Sequence, residues 1–263
     1  MKKALLVGIN DYPGKSSDLL GCVNDVHSMH DLLTSLFGFK TEDIRILTDS
    51  DATAFNILRA LEMLVHDARP GDQLIFHYSG HGSQIPDGSG DEKDCLDEIL
   101  CPHDLDWREN VVRNIVRDDD LNRIFASVPR GVRLEVFLDC CHSGTALRAG
   151  NGDYRKQRFL PVPAECMPSS AEIKSLKPIK PAKVQVLWTA CRSNQYAADA
   201  YLDGRYRGAF TTVLCDLVRA SKGEIQRANL LKTLRKTLKD KRFVQVPQLE
   251  TSAKHKKSSF LAA

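Results

Sequence analysis

The sequence contains no long hydrophobic run and no large excess of charge. Its N-terminal apolar segment stops at Asn10 and Asp11, short of a signal peptide's hydrophobic region and of the roughly 20 residues that cross a membrane. The formal net charge of +3 is too small, and the charges are too interspersed, to indicate a nucleic-acid-binding protein. We therefore expect a cytoplasmic protein with neither a membrane nor a nucleic-acid partner.

The eight cysteines have no secretory signal and no paired C-x-x-C spacing beside them. A disulfide framework is typical of short secreted chains, so we expect reduced thiols here. A zinc site built from Cys95, Cys101 and His103 stays a remote alternative, because these residues lack the usual spacing of zinc ligands.

No internal repeat is evident, and apolar runs with strand spacing alternate with segments of helical spacing. The predicted strands are 3–9, 43–48, 73–77, 133–139, 184–190 and 244–250. The predicted helices are 18–37, 53–68, 118–126, 208–220 and 227–238. This alternation predicts an α/β fold with a mostly parallel sheet of about six strands and helices on both faces. We expect residues 244–250 to form an edge strand.

A basic, proline-rich segment divides the chain. We interpret residues 1–263 as one domain, with a larger part at 1–147, an irregular linker at 148–183 and a smaller part at 184–263. Because exposed, poorly structured segments are the usual sites of nicking, we expect any cleavage of the chain to fall in this linker. Its candidates are Arg155, Lys156, Arg158, Lys174, Lys177, Lys180 and Lys183.

The predicted strand at 133–139 ends at two thiols, Cys140 and Cys141. A thiol attacks as the thiolate, which needs a neighbouring base or cation. The best candidate is His81, which lies between two glycines after the strand at 73–77. If the two strands are parallel neighbours, His81 and Cys141 meet at one edge of the sheet. Strand alternation directs Cys140 to the opposite face, so we assign it to packing.

The motif Tyr78-Ser-Gly-His-Gly82, followed by Asp139-Cys-Cys-His-Ser-Gly144, resembles the metacaspases and their bacterial relatives, the caspase-like cysteine peptidases. The resemblance covers most of the chain in the family's order. It extends to Lys3–Asn10, Leu20–Asp25, Asp97-Glu98 with Pro102, Gly208–Thr211 and Pro247–Glu250.

The resemblance implies a caspase-like three-layer sandwich and a cysteine endopeptidase. Residues 1–263 would then be one catalytic domain, and any self-cleavage is expected in the linker at 148–183. His81 would act as general base and acid, and Cys141 would form the acyl-enzyme. The backbone N–H groups around Gly82 and Cys141 would bind the oxyanion. No third, orienting carboxylate is evident, and we expect His77 and His142 to be structural.

The substrate preference also follows from the resemblance. Asp139 and Cys141 share a face of the extended chain, as do Ser79 and His81. In the metacaspases the matching Asp and Ser line an acidic pocket with a further Asp, which falls here at Asp25. We therefore expect protein or peptide substrates with Arg or Lys before the cleaved bond, and not Asp.

Calcium is required by many metacaspases, and the family's ligands would fall at Asp97, Asp119 and Asp120. A further family ligand, an Asp, is replaced here by Arg148. The window Asp87–Glu98 matches an EF-hand loop only in part, since Glu92 stands where that loop has glycine. Helix capping already accounts for Asp119 and Asp120, so we expect no cofactor and no need for calcium.

An alternative function is a caspase-like binding or scaffold domain without turnover. Degenerate members usually lack the Cys or the His, whereas this chain has both. The resemblance therefore favours the enzyme.

Overall fold

A six-stranded sheet forms the centre of the structure, a computed structural model that describes residues 1–86, 96–107, 112–141, 155–163 and 185–261. The six strands are β1 (Lys2–Gly8), β2 (Ile44–Thr48), β3 (Gln73–Ser79), β7 (Arg133–Asp139), β9 (Val186–Thr189) and β12 (Gln248–Thr251). The strand order is β12-β9-β7-β3-β1-β2, and only the edge strand β12 is antiparallel to its neighbour. The predicted mostly parallel sheet is therefore confirmed.

Helices cover both faces of this sheet. They are α1 (Cys22–Phe37), α2 (Ala54–His66), α3 (Asp118–Ala126), α4 (Ala209–Ala220), α5 (Arg227–Asp240) and the short α6 (Ala253–Lys257). The buried faces of α2 and α3 belong to one hydrophobic core, and those of α1, α4 and α5 to a second. The predicted layer of helices on each face is thus present.

The start of α1 is set by a side chain from another segment. The sequence pattern predicts a start at Asp18, but the helix begins at Cys22 because the side chain of Asn10 accepts a hydrogen bond from the Cys22 N–H at 2.8 Å. The helix ends at Gly38, which adopts a left-handed conformation with φ of 65°. This start places Asp25 in the first turn, fully buried.

Two small sheets lie beside the central one. The first contains β4 (Gly82–Pro86), β5 (Leu96–Leu100) and β6 (Val116–Arg117). The second has the order β11-β10-β8, with β8 (Arg155–Gln157), β10 (Ala198–Leu202) and β11 (Arg205–Gly208). The sequence analysis missed the second sheet, although Asp203 and Gly204, both with positive φ, are typical of a two-residue hairpin turn.

The strand β8 lies within the segment predicted as irregular. The expectation of irregular structure is wrong at Arg155–Gln157, which pair with β10. Residues 148–154 and 164–183 of that segment lie outside the described residues. No helix in the described ranges is long and apolar enough to cross a membrane.

Candidate active site

The strands β3 and β7 end side by side, and this brings the predicted site residues together. They pair in parallel, with Ser79 opposite Asp139 as the last pair. His81 and Cys141 each follow two residues later, so both leave the sheet at its carboxyl edge. The expected neighbourhood of the two strands is therefore confirmed.

His81 is held in one orientation by backbone and ring contacts. Its Nε2 lies 2.7 Å from the Ser17 carbonyl oxygen, which can only accept, so Nε2 carries the proton. The His81 N–H donates to the Tyr12 hydroxyl at 2.8 Å, and the two rings lie 4.6 Å apart. Nδ1 has no hydrogen-bond partner among the described residues. The second ring nitrogen is therefore left with a free lone pair, and Ser17 takes the place of an orienting carboxylate.

Burial keeps His81 neutral. The ring is almost entirely inaccessible, which lowers its pKa to about 4. Gly80, just before it, must be glycine because a Cβ there would lie 2.6 Å from the hydroxyls of both Tyr12 and Tyr78. The Tyr78 hydroxyl in turn donates to the His81 carbonyl at 2.7 Å. The motif Tyr78–Gly82 is thus packed around a neutral imidazole.

The two adjacent thiols lie in different cores. Cys140 belongs to the core under α2 and α3, and Cys141 to the core under α1 and α4. The Cys141 sulfur accepts a hydrogen bond from the Ala197 N–H. Only Cys141 therefore lies on the face of the sheet that carries the acidic pocket described next.

Four buried side chains from four elements form this acidic pocket. Asp25 comes from α1, Ser79 from β3, Asp139 from β7 and Asp199 from β10, and each is less than 1% exposed. The three carboxylates and one hydroxyl thus form a single group, although they are far apart in sequence. Sequence reasoning placed Asp25, Ser79 and Asp139 here and missed Asp199, whose only signal is a lone Asp in the apolar run 197–200.

The carboxylates are fixed by hydrogen bonds from the start of α4. The N–H and hydroxyl of Thr211 donate to Asp139 at 3.1 and 2.7 Å, and the Gly208 N–H donates to Asp25 at 2.9 Å. A Cβ on Gly208 would lie 2.5 Å from Nη1 of Arg158 and 2.6 Å from Asp25. Gly208 therefore forms part of the pocket wall, where only hydrogen fits.

The pocket is filled by the chain's own Arg158, which is fully buried. Its Nη1 donates to Ser79 at 2.7 Å and lies 3.1 Å from Asp139. Its Nη2 lies 2.7 Å from Asp25 and 3.0 Å from Asp199. Burial alone would lower the pKa of this guanidinium, but Asp139 and the other carboxylates hold that pKa well above its usual value. The pocket thus has the charge and the hydrogen-bonding groups that a guanidinium needs.

The backbone of the same segment follows the strand ends. The Arg158 carbonyl accepts hydrogen bonds from the N–H groups of Gly82 and Cys141, both at 3.1 Å. The Arg158 N–H donates to the Ala197 carbonyl, and the Leu160 N–H to the Gly82 carbonyl, each at 3.0 Å. The two predicted oxyanion donors therefore point at one carbonyl, whose side chain fills the acidic pocket.

The expected calcium ligands belong to elements other than those that form the acidic pocket. Asp97 on β5 is buried, with Oδ2 3.9 Å from Nε of Arg117. Asp120 accepts the Arg117 N–H at 3.3 Å, as expected of a capping residue, and Asp119 lies in the first turn of α3. The pKa of Asp118 is raised to about 7, chiefly by burial and then by charges that include Asp97.

The metal hypotheses fall partly outside the described residues. Within the described ranges no group of three or more His, Cys, Asp or Glu side chains could hold a metal ion. Arg148, Cys95, His142 and most of the EF-hand-like window lie beyond those ranges. Cys101 is buried in the core, and Nδ1 of His103 lies 2.9 Å from the Asp11 carbonyl.

Comparison with solved structures defines the class of fold. The structure superposes on protein GSU0716 of Geobacter sulfurreducens with a TM-score of 0.71 and 24% identity, covering 98% of this chain and 97% of that one. It also superposes on caspase-1 of Spodoptera frugiperda with a TM-score of 0.61 and 14% identity, covering 95% and 86%. The fold is therefore caspase-like.

Sequence comparison gives the family. The model of the metacaspase, peptidase C14 domain matches residues 2–149. The chain is 36% identical to Metacaspase-1 of Cryptococcus neoformans var. neoformans serotype D and of Emericella nidulans, over 95% of its length in both cases. The chain belongs to the metacaspase family. It spans 62% and 70% of the length of these two relatives.

Proposed function

We propose that this chain is a cysteine endopeptidase that cleaves peptide bonds after Arg or Lys. The observation that carries the proposal is Arg158. Its guanidinium fills the acidic pocket while its carbonyl accepts hydrogen bonds from the N–H groups of Gly82 and Cys141. A peptide bound in the same way places its carbonyl oxygen at the backbone N–H group of the proposed nucleophile. Membership of a peptidase family supports the same reading.

The proposed reaction uses each ring nitrogen of His81 differently. Nε2 keeps its proton and donates a hydrogen bond to the Ser17 carbonyl. Nδ1 is therefore the atom that accepts the proton of the Cys141 thiol. The thiolate sulfur bonds to the carbonyl carbon, and the N–H groups of Gly82 and Cys141 stabilise the oxyanion. Nδ1 then protonates the leaving amine, the C–N bond breaks, and a water molecule hydrolyses the acyl-enzyme.

The preference for a basic residue follows from the charge of the pocket. Three buried carboxylates face one guanidinium, so an acidic side chain would bring a fourth negative charge into a site that excludes water. Kinetic measurements on peptides that differ only before the cleaved bond test this preference. We expect cleavage after Arg and Lys and none after Asp. Asp139→Asn should lower kcat/KM for Arg peptides by about two to three orders of magnitude.

The first substrate of the proposed enzyme is its own chain. The bond between Arg158 and Phe159 is the one whose carbonyl lies at the N–H groups of Gly82 and Cys141. We expect fragments 1–158 and 159–263, identified by mass spectrometry of the purified protein. Arg158→Ala should remove this cut, whereas Lys177→Ala, a matched change in the same basic segment, should leave it.

Two controls separate self-cleavage from contamination and from a silent domain. Cys141→Ala must stay intact under the same conditions, and equal cutting of this variant would implicate another protease. A thiol-reactive peptidyl probe ending in Arg should label the wild type and not Cys141→Ala. An unlabelled wild-type protein that also cleaves no peptide would instead identify a binding domain without turnover.

A further inference from the structure

The segment before Arg158 continues along β10 as an antiparallel strand. Gln157 pairs with Ala198, Lys156 with Asp199 and Arg155 with Ala200. In this register the side chain of Arg155, three positions before Arg158, reaches the turn that follows α5.

At that turn the guanidinium of Arg155 lies over an aromatic ring. Its central carbon is 4.3 Å from the centroid of the Phe243 ring. Its Nη1 donates a hydrogen bond to the Arg242 carbonyl at 2.8 Å. A planar cation over an aromatic face, with a carbonyl acceptor at its edge, is a recognised way to bind arginine in proteins.

The turn is built into the fold rather than formed around Arg155. Arg242 adopts a left-handed conformation with φ of 62°, and the Phe243 N–H closes the turn on the Leu238 carbonyl at 2.9 Å. The Phe243 side chain is only 7% exposed and belongs to the core under α1 and α4. The ring is thus part of the hydrophobic core of the protein.

The turn is also tied to the strand that carries the substrate-like segment. The side chain of Gln245 accepts the Ala198 N–H and donates to the Ala190 carbonyl, both at 3.0 Å. Ala198 belongs to β10, and the Ala190 N–H bonds to β7 through the Leu138 carbonyl. These hydrogen bonds therefore hold the turn that carries Phe243 at a set position relative to the strands that form the acidic pocket.

We propose that Phe243, with the Arg242 carbonyl, forms a second subsite that recognises an arginine three residues before the basic residue at the cleaved bond. The favoured substrates then carry the pattern Arg-Xaa-Xaa-Arg, as Arg155 and Arg158 do in the chain itself. This inference rests on the proposed function, in which the acidic pocket takes the residue before the cleaved bond. Lysine binds less well at Phe243 because an ammonium group cannot stack on the ring, and an acidic residue is repelled by the ring face.

A first test measures the subsite without catalysis. In the Cys141→Ala protein, hydrogen exchange of residues 155–160 should become about three- to thirtyfold faster in both Arg155→Ala and Phe243→Leu. The double variant should be no faster than either one, because both changes remove the same contact. Val244→Ala is the matched control, since the side chain of this neighbouring residue is 77% exposed. Exchange of β3 must stay unchanged in every variant, which excludes global destabilisation. Additive effects, or no effect of Phe243→Leu, would overturn the proposal.

A second test uses peptides and the processed enzyme. Peptides of the form Xaa-Lys-Gln-Arg-Phe-Leu are compared with Arg, Lys, Ala and Asp at Xaa. We expect kcat/KM for Arg to exceed that for Ala by about three- to thirtyfold. The advantage should disappear in Phe243→Leu and persist in Val244→Ala, while the requirement for Arg before the cleaved bond stays the same in both.

The outcomes distinguish the two levels of inference. Equal cleavage of the Arg and Ala peptides by the wild type would overturn the subsite and leave the proposed function in place. Cleavage of none of the peptides would overturn the proposed function, and the exchange measurement would still decide whether Phe243 binds an arginine.

Discussion

Cys140 and Cys141 are adjacent in sequence but lie in different cores, so one residue of register separates a packing thiol from a candidate nucleophile. We expect Cys141→Ala to lower kcat/KM by at least about a thousandfold, and His81→Ala to match it, because residues that act as a unit are not additive. Cys140→Ser should keep most of the activity, although a buried hydroxyl there costs about 1–3 kcal/mol of stability. Peptide kinetics and thermal unfolding of the three variants check this. A comparable loss of activity in Cys140→Ser would move the nucleophile to Cys140.

The carboxylates of the acidic pocket predict the acid limb of the pH profile. With Arg158 bound, the pKa of Asp25 is raised above its ordinary value, because burial and the charge of Asp139 outweigh the opposing effect of the guanidinium. A protonated Asp25 attracts a cation less than an ionised one. We therefore expect KM for Arg peptides to fall as the pH rises through about 6.

His81 does not account for that limb, since burial lowers its pKa to about 4. Asp25→Asn should weaken binding at every pH and flatten the change in KM. A limb that stays in Asp25→Asn, or one that lies only near pH 4, would contradict the assignment.

At the scale of elements, the junction of β11 and α4 closes the acidic pocket through Gly208. Because a Cβ there would meet Arg158 and Asp25, Gly208→Ala should expel the guanidinium. We expect loss of the cut after Arg158 and an increase of KM for Arg peptides by about tenfold or more, with a smaller effect on thermal stability. Fragment analysis by mass spectrometry provides the measurement. A Gly208→Ala protein that cleaves itself at the wild-type rate would show that the wall can move.

The elements that depend on local signals could be predicted from the sequence. The strands β3 and β7 have apolar runs that end at glycine or polar motifs, so their parallel neighbourhood and the positions of His81 and Cys141 followed from the pattern. The pocket residues Asp25, Ser79 and Asp139 followed from the family resemblance, and the structure brings all three to one guanidinium.

Non-local features could not be predicted in this way. The strand β8 has no apolar pattern that would predict a strand. Its pairing depends on β10 and on the burial of the neighbouring Arg158 in a pocket made by distant segments. An arginine in a basic, proline-rich segment gives no sign that it is buried. Likewise the Ser17 carbonyl that orients His81 is a backbone group, which any residue supplies.

For the whole molecule, two buried histidines predict loss of stability in acid. Burial lowers the pKa of His77 to about 3 and that of His81 to about 4, whereas the unfolded chain titrates near its ordinary value. The stability that these two neutral histidines contribute is complete above about pH 6.5. It is lost as the pH falls towards the pKa values of the folded state, because only the unfolded state takes up protons in that range. At about pH 5 each histidine should lower the free energy of unfolding by roughly 2 kcal/mol relative to neutral pH.

Denaturant unfolding as a function of pH measures this loss. We expect His77→Gln to have a flatter profile than the wild type between about pH 7 and pH 4. An unchanged slope in His77→Gln would show that other groups dominate.

Calcium provides a second prediction for the whole molecule. Arg117 already lies near Asp97, and Asp120 is engaged in capping α3. We expect chelation of divalent ions to change kcat/KM by less than about twofold and Tm by about 1 °C at most. Activity assays and thermal unfolding with and without a chelator check this. A large activation by calcium would show that other oxygen ligands complete a site near Asp97.

The buried Arg158 has a consequence for kinetics. A ligand on the same chain competes with free substrates at an effective concentration on the order of millimolar, which few free peptides reach. Under the proposed function, the intact chain is therefore almost inert towards other proteins, and its progress curves begin with a lag. Because the cleavage that ends the lag is intramolecular, its duration does not depend on enzyme concentration. The length of the lag is thus set by the rate at which each molecule's active site cleaves its own chain, an event that happens once per molecule.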